Sequence, residues 1–283
     1  MLTLESCPTD FVRVSLLITT FDRPDALACV LASIERQSEL PDEVVIADDG
    51  SGPDTRDLIA SFRKRIPREI QHAWQPHDGP RVGRARNLGI VMATCDYLVQ
   101  IDGDMVLHPE FIADHRRAAQ PGDWIQGTRI LLDKSCTRDL ISEGPRTFGP
   151  LAAGLGFKRR AYAIRLPRTG ALLRNTANAF VAVKGCNQGF WRADLERING
   201  YNEDMIGWGS EDKELAVRLM HAGVRHSTLI FGGIAYHLHH AAAPRDRHAI
   251  NEAILNETLR QRLIRCAAGL DAHRPQRGRV AVI

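Results

Sequence analysis

Apolar residues in the first hundred positions come in short bursts separated by amphipathic stretches. VRVSLLITTF (12–21), DEVVIADDGS (42–51), EIQHAWQP (69–76) and CDYLVQIDGD (95–104) are brief runs bounded by turn formers, and they predict buried strands. Between the first two lies DRPDALACVLASIERQS (22–38). Asp22 is placed to cap it, Pro24 suits a first helical turn, and Leu27, Val30, Leu31 and Ile34 recur at helical spacing. DTRDLIASFRKRI (54–66) and GRARNLGIVMAT (83–94) predict two more helices. Strand alternating with helix is the signature of an α/β fold with a mainly parallel sheet. Such sheets bind ligands beyond the carboxyl ends of their strands. Those ends are Thr19 to Arg23, Asp48 to Ser51 and Asp102 to Asp104, all polar.

The pattern loosens after about residue 110. HPEFIADHRRAAQ predicts a helix and DWIQGTRILL (123–132) a strand, whereas 135–180 is irregular and basic. VKGCNQGFWRADLERINGYNED resumes structure, GSEDKELAVRLMHAGV predicts an amphipathic helix, and TLIFGGIAY is strand-like. There is no internal repeat and no low-complexity segment. One continuous domain is expected.

Composition narrows the class. The 283 residues are 44% hydrophobic and 25% charged, which suits a globular enzyme-sized core. A net charge of +3 gives no reason to expect a nucleic-acid partner. The local exception is GFKRRAYAIRLPRTGALLR (156–174), which holds Lys158, Arg159, Arg160, Arg165, Arg168 and Arg174 and no acid. The six cysteines form no CxxC pair, so reduced thiols are expected. No run approaches the roughly 20 apolar residues that span a bilayer. The N-terminal MLTLESCPTDF lacks a basic n-region and contains Glu5 and Asp10, so a cytoplasmic protein is expected, with peripheral contact at the inner face of the plasma membrane left open.

Candidate chemistry gathers at the acids. Asp102-Gly103-Asp104 places two carboxylates at a strand end, where they repel unless neutralised. A divalent Mg2+ or Mn2+ ion carrying a phosphorylated substrate would do so, though Asp and Gly are also ordinary turn formers. GPRVGRARNLG (79–89) offers Arg84 or Arg86 to a phosphate, or simply a solvated helix start. In GWGSEDKEL (207–215), one of Glu211 and Asp212 can serve as a general base, with Trp208 as an apolar platform; acids are also common at helix N-termini. AYHLHH (235–240) clusters three histidines. Neither GxGxxG nor a Walker A sequence is present.

In this order, VSLLITTFDRPDAL, VVIADDGS, GRARNLGI, IDGDM and GCNQGFWRADLERINGYNEDMIGWGSEDKEL resemble a family 2 glycosyltransferase of the GT-A fold. The last segment is similar to the galactosyltransferase-type part of chondroitin polymerases and β-1,4-galactosyltransferases. The likeness covers roughly residues 12 to 240. It implies a nucleotide-sugar-binding half over 1–110, an acceptor-binding and catalytic half over 111–245 and a C-terminal helical tail over 246–283. It implies that Thr19, Phe21, Asp22, Arg23, Asp49 and Ser51 line the nucleotide pocket, together with Arg84, Asn87, Asp102 and Gly103. Asp104 and His237 would ligate Mn2+ or Mg2+, with His239 or His240 as substitutes for His237. Asp212 would be the base, with Glu211 beside it and Trp208 and Gly209 in the acceptor pocket. The implied reaction is inverting transfer from a nucleotide sugar, UDP-linked by resemblance, to a saccharide or lipid-linked saccharide in bacterial surface glycan synthesis. The basic 135–180 segment departs from the relatives. It is expected to read an acidic acceptor or an anionic membrane, or to be a loop that orders with donor. A nucleotidyltransferase and a non-catalytic sugar-nucleotide or glycan-binding module are the alternatives.

Overall fold

Each apolar burst of the first hundred residues becomes a parallel strand in the computed structural model, which describes residues 12–166, 183–241 and 246–274. The strands are β1 (Val14–Thr20), β2 (Glu43–Asp48), β3 (Glu69–Trp74) and β4 (Tyr97–Asp102). They are linked by α1 (Pro24–Ile34), α2 (Pro53–Phe62) and α3 (Val82–Met92). Proline opens α1 and α2, where its missing N–H has no helical partner to lose. Successive residues of β1 face opposite layers: Leu16 and Ile18 pack with Leu27, Leu31 and Ile59, and Leu17 packs with Ala85 and Ile90. Both faces are therefore covered, as a parallel sheet requires.

The second half extends this sheet and adds another. β5 (Met105–Leu107) and α4 (Phe111–Ala118) precede β6 (Asp123–Gln126) and β7 (Ile130–Leu131). After α5 (Lys134–Glu143) come β8 (Asn187–Trp191), α6 (Arg192–Ile198), α7 (Glu211–His221), β9 (Arg225–Thr228) and β10 (Ala235–His237). α8 (His248–Gln261) follows. The main sheet runs β3-β2-β1-β4-β8-β6-β9, and only β8 is reversed; the small sheet runs β5-β10-β7.

Four expectations change in detail. Asp22 does not cap α1: the N-cap position is Arg23, with no side-chain cap bond. The single strand over 123–132 is two strands in different sheets, broken at Gly127, where a Cβ would fall 2.3 Å from the Asn187 side chain. The strand-like 228–236 is likewise divided between β9 and β10 around Gly232-Gly233. Part of the irregular 135–180 segment is α5, capped by Asp133, whose carboxylate accepts from the Cys136 N–H at 2.9 Å. Within the basic stretch, Arg165 is turned inward to Asp114 and Glu110 on and beside α4. Arg168 and Arg174 lie outside the described residues, as do the N-terminal segment and Cys7. The other five cysteines are free and buried.

Candidate active site

Strand register gathers the site. Thr19 pairs with Asp102 and Thr20 with Asp48, so the ends of β1, β2 and β4 form one edge. The Gly103 N–H donates to the Thr19 carbonyl at 2.7 Å, and a Cβ there would approach that oxygen and Thr20 Oγ1 to 3.0 Å. Glycine lets the chain turn tightly enough to present Asp104.

Pairing in the small sheet delivers the partners of Asp104. His237 of β10 stands opposite Met105 of β5, and the Leu238 N–H donates to the Asp104 carbonyl. His237 Nε2 lies 3.7 Å from Asp104 Oδ1, and His240 Nε2 lies 3.3 Å from Oδ2. His239 is exposed, and its backbone N–H is tied to Thr137 Oγ1. One ligand atom each from Asp104, His237 and His240 falls within 4.8 Å of the others. Asp104 Oδ1 is buried and accepts no hydrogen bond. Burial lowers the His237 pKa, against the pull of Asp104, and so favours the neutral ring that ligates metals. His240 Nδ1 meets the Ala241 carbonyl at 2.6 Å, so in the neutral ring the proton sits there and the Nε2 lone pair faces Asp104. One carboxylate and two imidazoles fit a divalent transition ion such as Mn2+ better than Mg2+, which prefers oxygen ligands. Arg23 Nη1 stands 3.5 Å from Asp104 Oδ2, in the same cluster.

A second cluster surrounds Arg86. This guanidinium is 3% exposed. Nη1 donates to Asp212 Oδ1 at 2.8 Å, Nη2 to Asp102 Oδ1 at 3.0 Å and Nε to Thr19 Oγ1 at 3.2 Å. It also lies over the Tyr201 ring, 5.0 Å from its centroid. Burial alone would lower its pKa, but Tyr201, Asp212, Asp102 and Glu211 reverse that and raise it. The Gly185 N–H donates to Asp212 Oδ2 at 2.7 Å, so both oxygens of Asp212 are held. A Cβ at Gly185 would fall 2.3 Å from Asp212 Oδ1. Glu211 accepts from the Gly209 N–H at 3.0 Å, and its pKa is pushed up to about 7 by burial first and the Asp212 charge second. Trp208, three positions before Glu211, is 45% exposed.

The remaining predicted residues divide. Phe21 stacks on His77 with centroids 4.3 Å apart, giving an exposed flat face. The Asp22 N–H donates to Ser51 Oγ, tying the ends of β1 and β2. Asp49 accepts from Gln75 Nε2 at 2.5 Å and from the Arg81 N–H at 2.8 Å, and burial raises its pKa. Asn87 is brought to no ligand-facing position. It is fully buried, and its amide clamps Tyr201 and Glu203 through Tyr201 O, the Tyr201 N–H and Glu203 Oε1. Arg84 donates to Gln75 Oε1 at 3.1 Å and stands 4.0 Å from the Glu203 carboxylate. Sequence reasoning missed Gly185, Tyr201 and Arg129, whose Nη1 lies 3.6 Å from Cys186 Sγ. Gly185 lay within a quoted segment, GCNQGF, but nothing local marks it as a contact of Asp212.

Residues 15–137 match the model for glycosyl transferase family 2, and 175–241 match the model described as the N-terminal domain of galactosyltransferase. The chain carries a family 2 glycosyltransferase segment. Among curated proteins it is 30% identical to a validoxylamine A glucosyltransferase of Streptomyces hygroscopicus subsp. limoneus over 75% of this chain and 48% of that protein. It is 27% identical to the chondroitin synthase of Escherichia coli, over 79% of this chain and 34% of that one. It is 26% identical to the hyaluronan synthase of Pasteurella multocida, over 80% and 24%. The chain thus spans half or less of the length of these relatives. The fold is that of S. aureus TarS in complex with UDP, with a TM-score of 0.62, 14% identity, and coverage of 92% of this chain and 68% of that one. A mannosyltransferase from Pyrobaculum calidifontis in complex with GDP-Man and Mn2+ gives a TM-score of 0.55 at 17% identity, covering 89% of this chain and 71% of that one. The GT-A expectation holds.

Proposed function

We propose that this glycosyltransferase-family chain moves a sugar from a nucleoside diphosphate donor, UDP-linked in the first instance, to a hydroxyl of a saccharide acceptor with inversion. The observation that carries the reading is the pairing of two clusters on one sheet edge. Asp104, with Oδ1 buried and accepting no hydrogen bond, stands between His237 and His240, and the carboxylate of Asp212 is fixed by Gly185 and by Arg86, which also holds Asp102. Asp104, His237 and His240 would hold Mn2+, which supplies positive charge for a leaving diphosphate. Arg23 already stands at Asp104 and would be free to meet phosphate oxygens. The Phe21–His77 face offers a stacking surface for the base.

On the acceptor side, Trp208 provides an apolar face for a sugar ring and Asp212 accepts the hydroxyl proton. In-line attack by that hydroxyl on the anomeric carbon, opposite the departing diphosphate, would invert the anomeric centre. A bacterial surface glycan is the proposed setting, with the saccharide free or lipid-linked. The chain is proposed to work in the cytoplasm with peripheral membrane contact. Among the described residues, no helix is long and apolar enough to cross a membrane.

The test is nucleoside diphosphate release from UDP-glucose and UDP-N-acetylglucosamine with Mn2+ and a panel of saccharides. Asp212→Asn is expected to lower turnover by about a hundredfold or more while leaving UDP binding intact. Near-full turnover by Asp212→Asn would remove the base assignment. Pyrophosphate release from a nucleoside triphosphate would instead mark a nucleotidyltransferase. Binding without turnover would mark a binding module.

A further inference from the structure

Helix α8 lies outside both matched segments, yet its first turns close over the loop that carries Trp208. Asn251 is fully buried there. Its Nδ2 donates to the Ile206 carbonyl at 3.2 Å and to the Gly209 carbonyl at 3.0 Å, bracketing Trp208. The loop is built from left-handed residues: Gly207 at φ 83°, Gly209 at φ 114° and Ser210 at φ 68°. Ser210 has a Cβ, so this conformation is strained and persists only where the surroundings hold it. Its own hydroxyl does not help, because Ser210 Oγ is buried without a hydrogen-bond partner.

The support comes from α8. Besides the Asn251 amide, His248 packs against the same turn, where a Cβ on Gly209 would lie 2.8 Å from His248 Nδ1. The imidazole sits 6.4 Å from the Trp208 ring, centroid to centroid. The turn in question also supplies the Gly209 N–H that holds Glu211. Asn251 therefore restrains the backbone on both sides of Trp208, including the residue whose N–H donates to Glu211.

We propose that Asn251 is a positioning residue of the acceptor site, fixing the 206–210 turn so that Trp208 is presented to a saccharide ring and Glu211 stays beside Asp212. This rests on the reading of Trp208 as an acceptor platform. It assigns α8 to the acceptor site, although donor-side residues lie elsewhere on the edge.

The test compares Asn251→Ala with Thr258→Val, a control on the same helix whose buried hydroxyl bonds Glu214 at 3.1 Å. Trp208 accessibility is read by acrylamide quenching, as the difference between each protein and its Trp208→Phe counterpart. Asn251→Ala is expected to raise the Trp208 quenching constant by about twofold. Its UDP·Mn2+ affinity should stay within about twofold. Turnover of UDP-N-acetylglucosamine should fall by about a hundredfold, since small misplacements cost that much. Thr258→Val should lower the melting temperature without changing quenching. Asn251→Ser, which keeps a donor, should fall between and stands in if the alanine variant does not fold. Unchanged Trp208 quenching in the Asn251 variants, or the same change in Thr258→Val, would overturn the proposal. Failure of the wild-type protein to bind UDP would instead sink the transferase reading and leave the quenching result standing.

Discussion

At Arg86 one buried guanidinium meets carboxylates contributed by distant parts of the chain. Asp102 ends β4, and Asp212 lies in the first turn of α7, 126 positions away from Arg86. Removing either acid alone would leave the other to balance a charge that burial makes costly. Glu211 is the residue whose ionisation this arrangement disturbs most visibly. Its pKa lies at about 7 instead of 4.5, so the native state holds its proton more tightly than the unfolded chain does. That contribution to stability is complete below about pH 4.5 and is lost as pH rises through about 7. Glu211→Gln should therefore flatten the fall in unfolding free energy between those values, by on the order of 3 kcal/mol at most. Denaturant unfolding of both proteins from pH 4 to 8 checks it, and parallel curves would refute the assignment. The acids of DGD and GWGSED were legible because strand ends and helix starts are local features. The saturation of Asn87 was not, because its partners Tyr201 and Glu203 lie 114 and 116 positions away.

At the scale of elements, the alternating bursts foretold the parallel half because strand, turn and helix signals are all short-range. The second half hid its breaks. β6 and β7 read as one strand, since period and composition do not show that Gly127 must clear the Asn187 side chain. α5 buries only Cys136, Thr137 and Leu140, too few apolar positions to stand out as a helix. The grouping of Asp104, His237 and His240 likewise depends on the β5–β10 pairing, which no local pattern announces. One contact between elements invites a direct test. Gly89 of α3 lies so close to β1 that a Cβ would be 2.4 Å from Leu17 Cδ1 and 3.2 Å from the Ala47 Cβ. Although alanine favours a helix, Gly89→Ala should destabilise by about 1–3 kcal/mol through overpacking. A urea midpoint equal to or above wild type would show that α3 can shift without cost.

For the whole molecule, the sheet edge gathers a metal-suited cluster and an arginine-held acid pair while the rest of the fold is devoted to holding them in register. Helices cover both faces of the sheet behind that edge, and α8 packs against the Trp208 turn, the side on which we propose that the acceptor lies. We propose that Asp104, His237 of β10 and His240 just beyond it bind a divalent ion that carries a nucleoside diphosphate. Isothermal titration of UDP into the protein, with and without Mn2+, tests it most directly when repeated on Asp104→Ala. Binding should require Mn2+ in the wild-type protein and be lost in Asp104→Ala, with the unliganded melting temperature little changed. Binding of UDP that is equal with and without Mn2+, or is undiminished in Asp104→Ala, would contradict it.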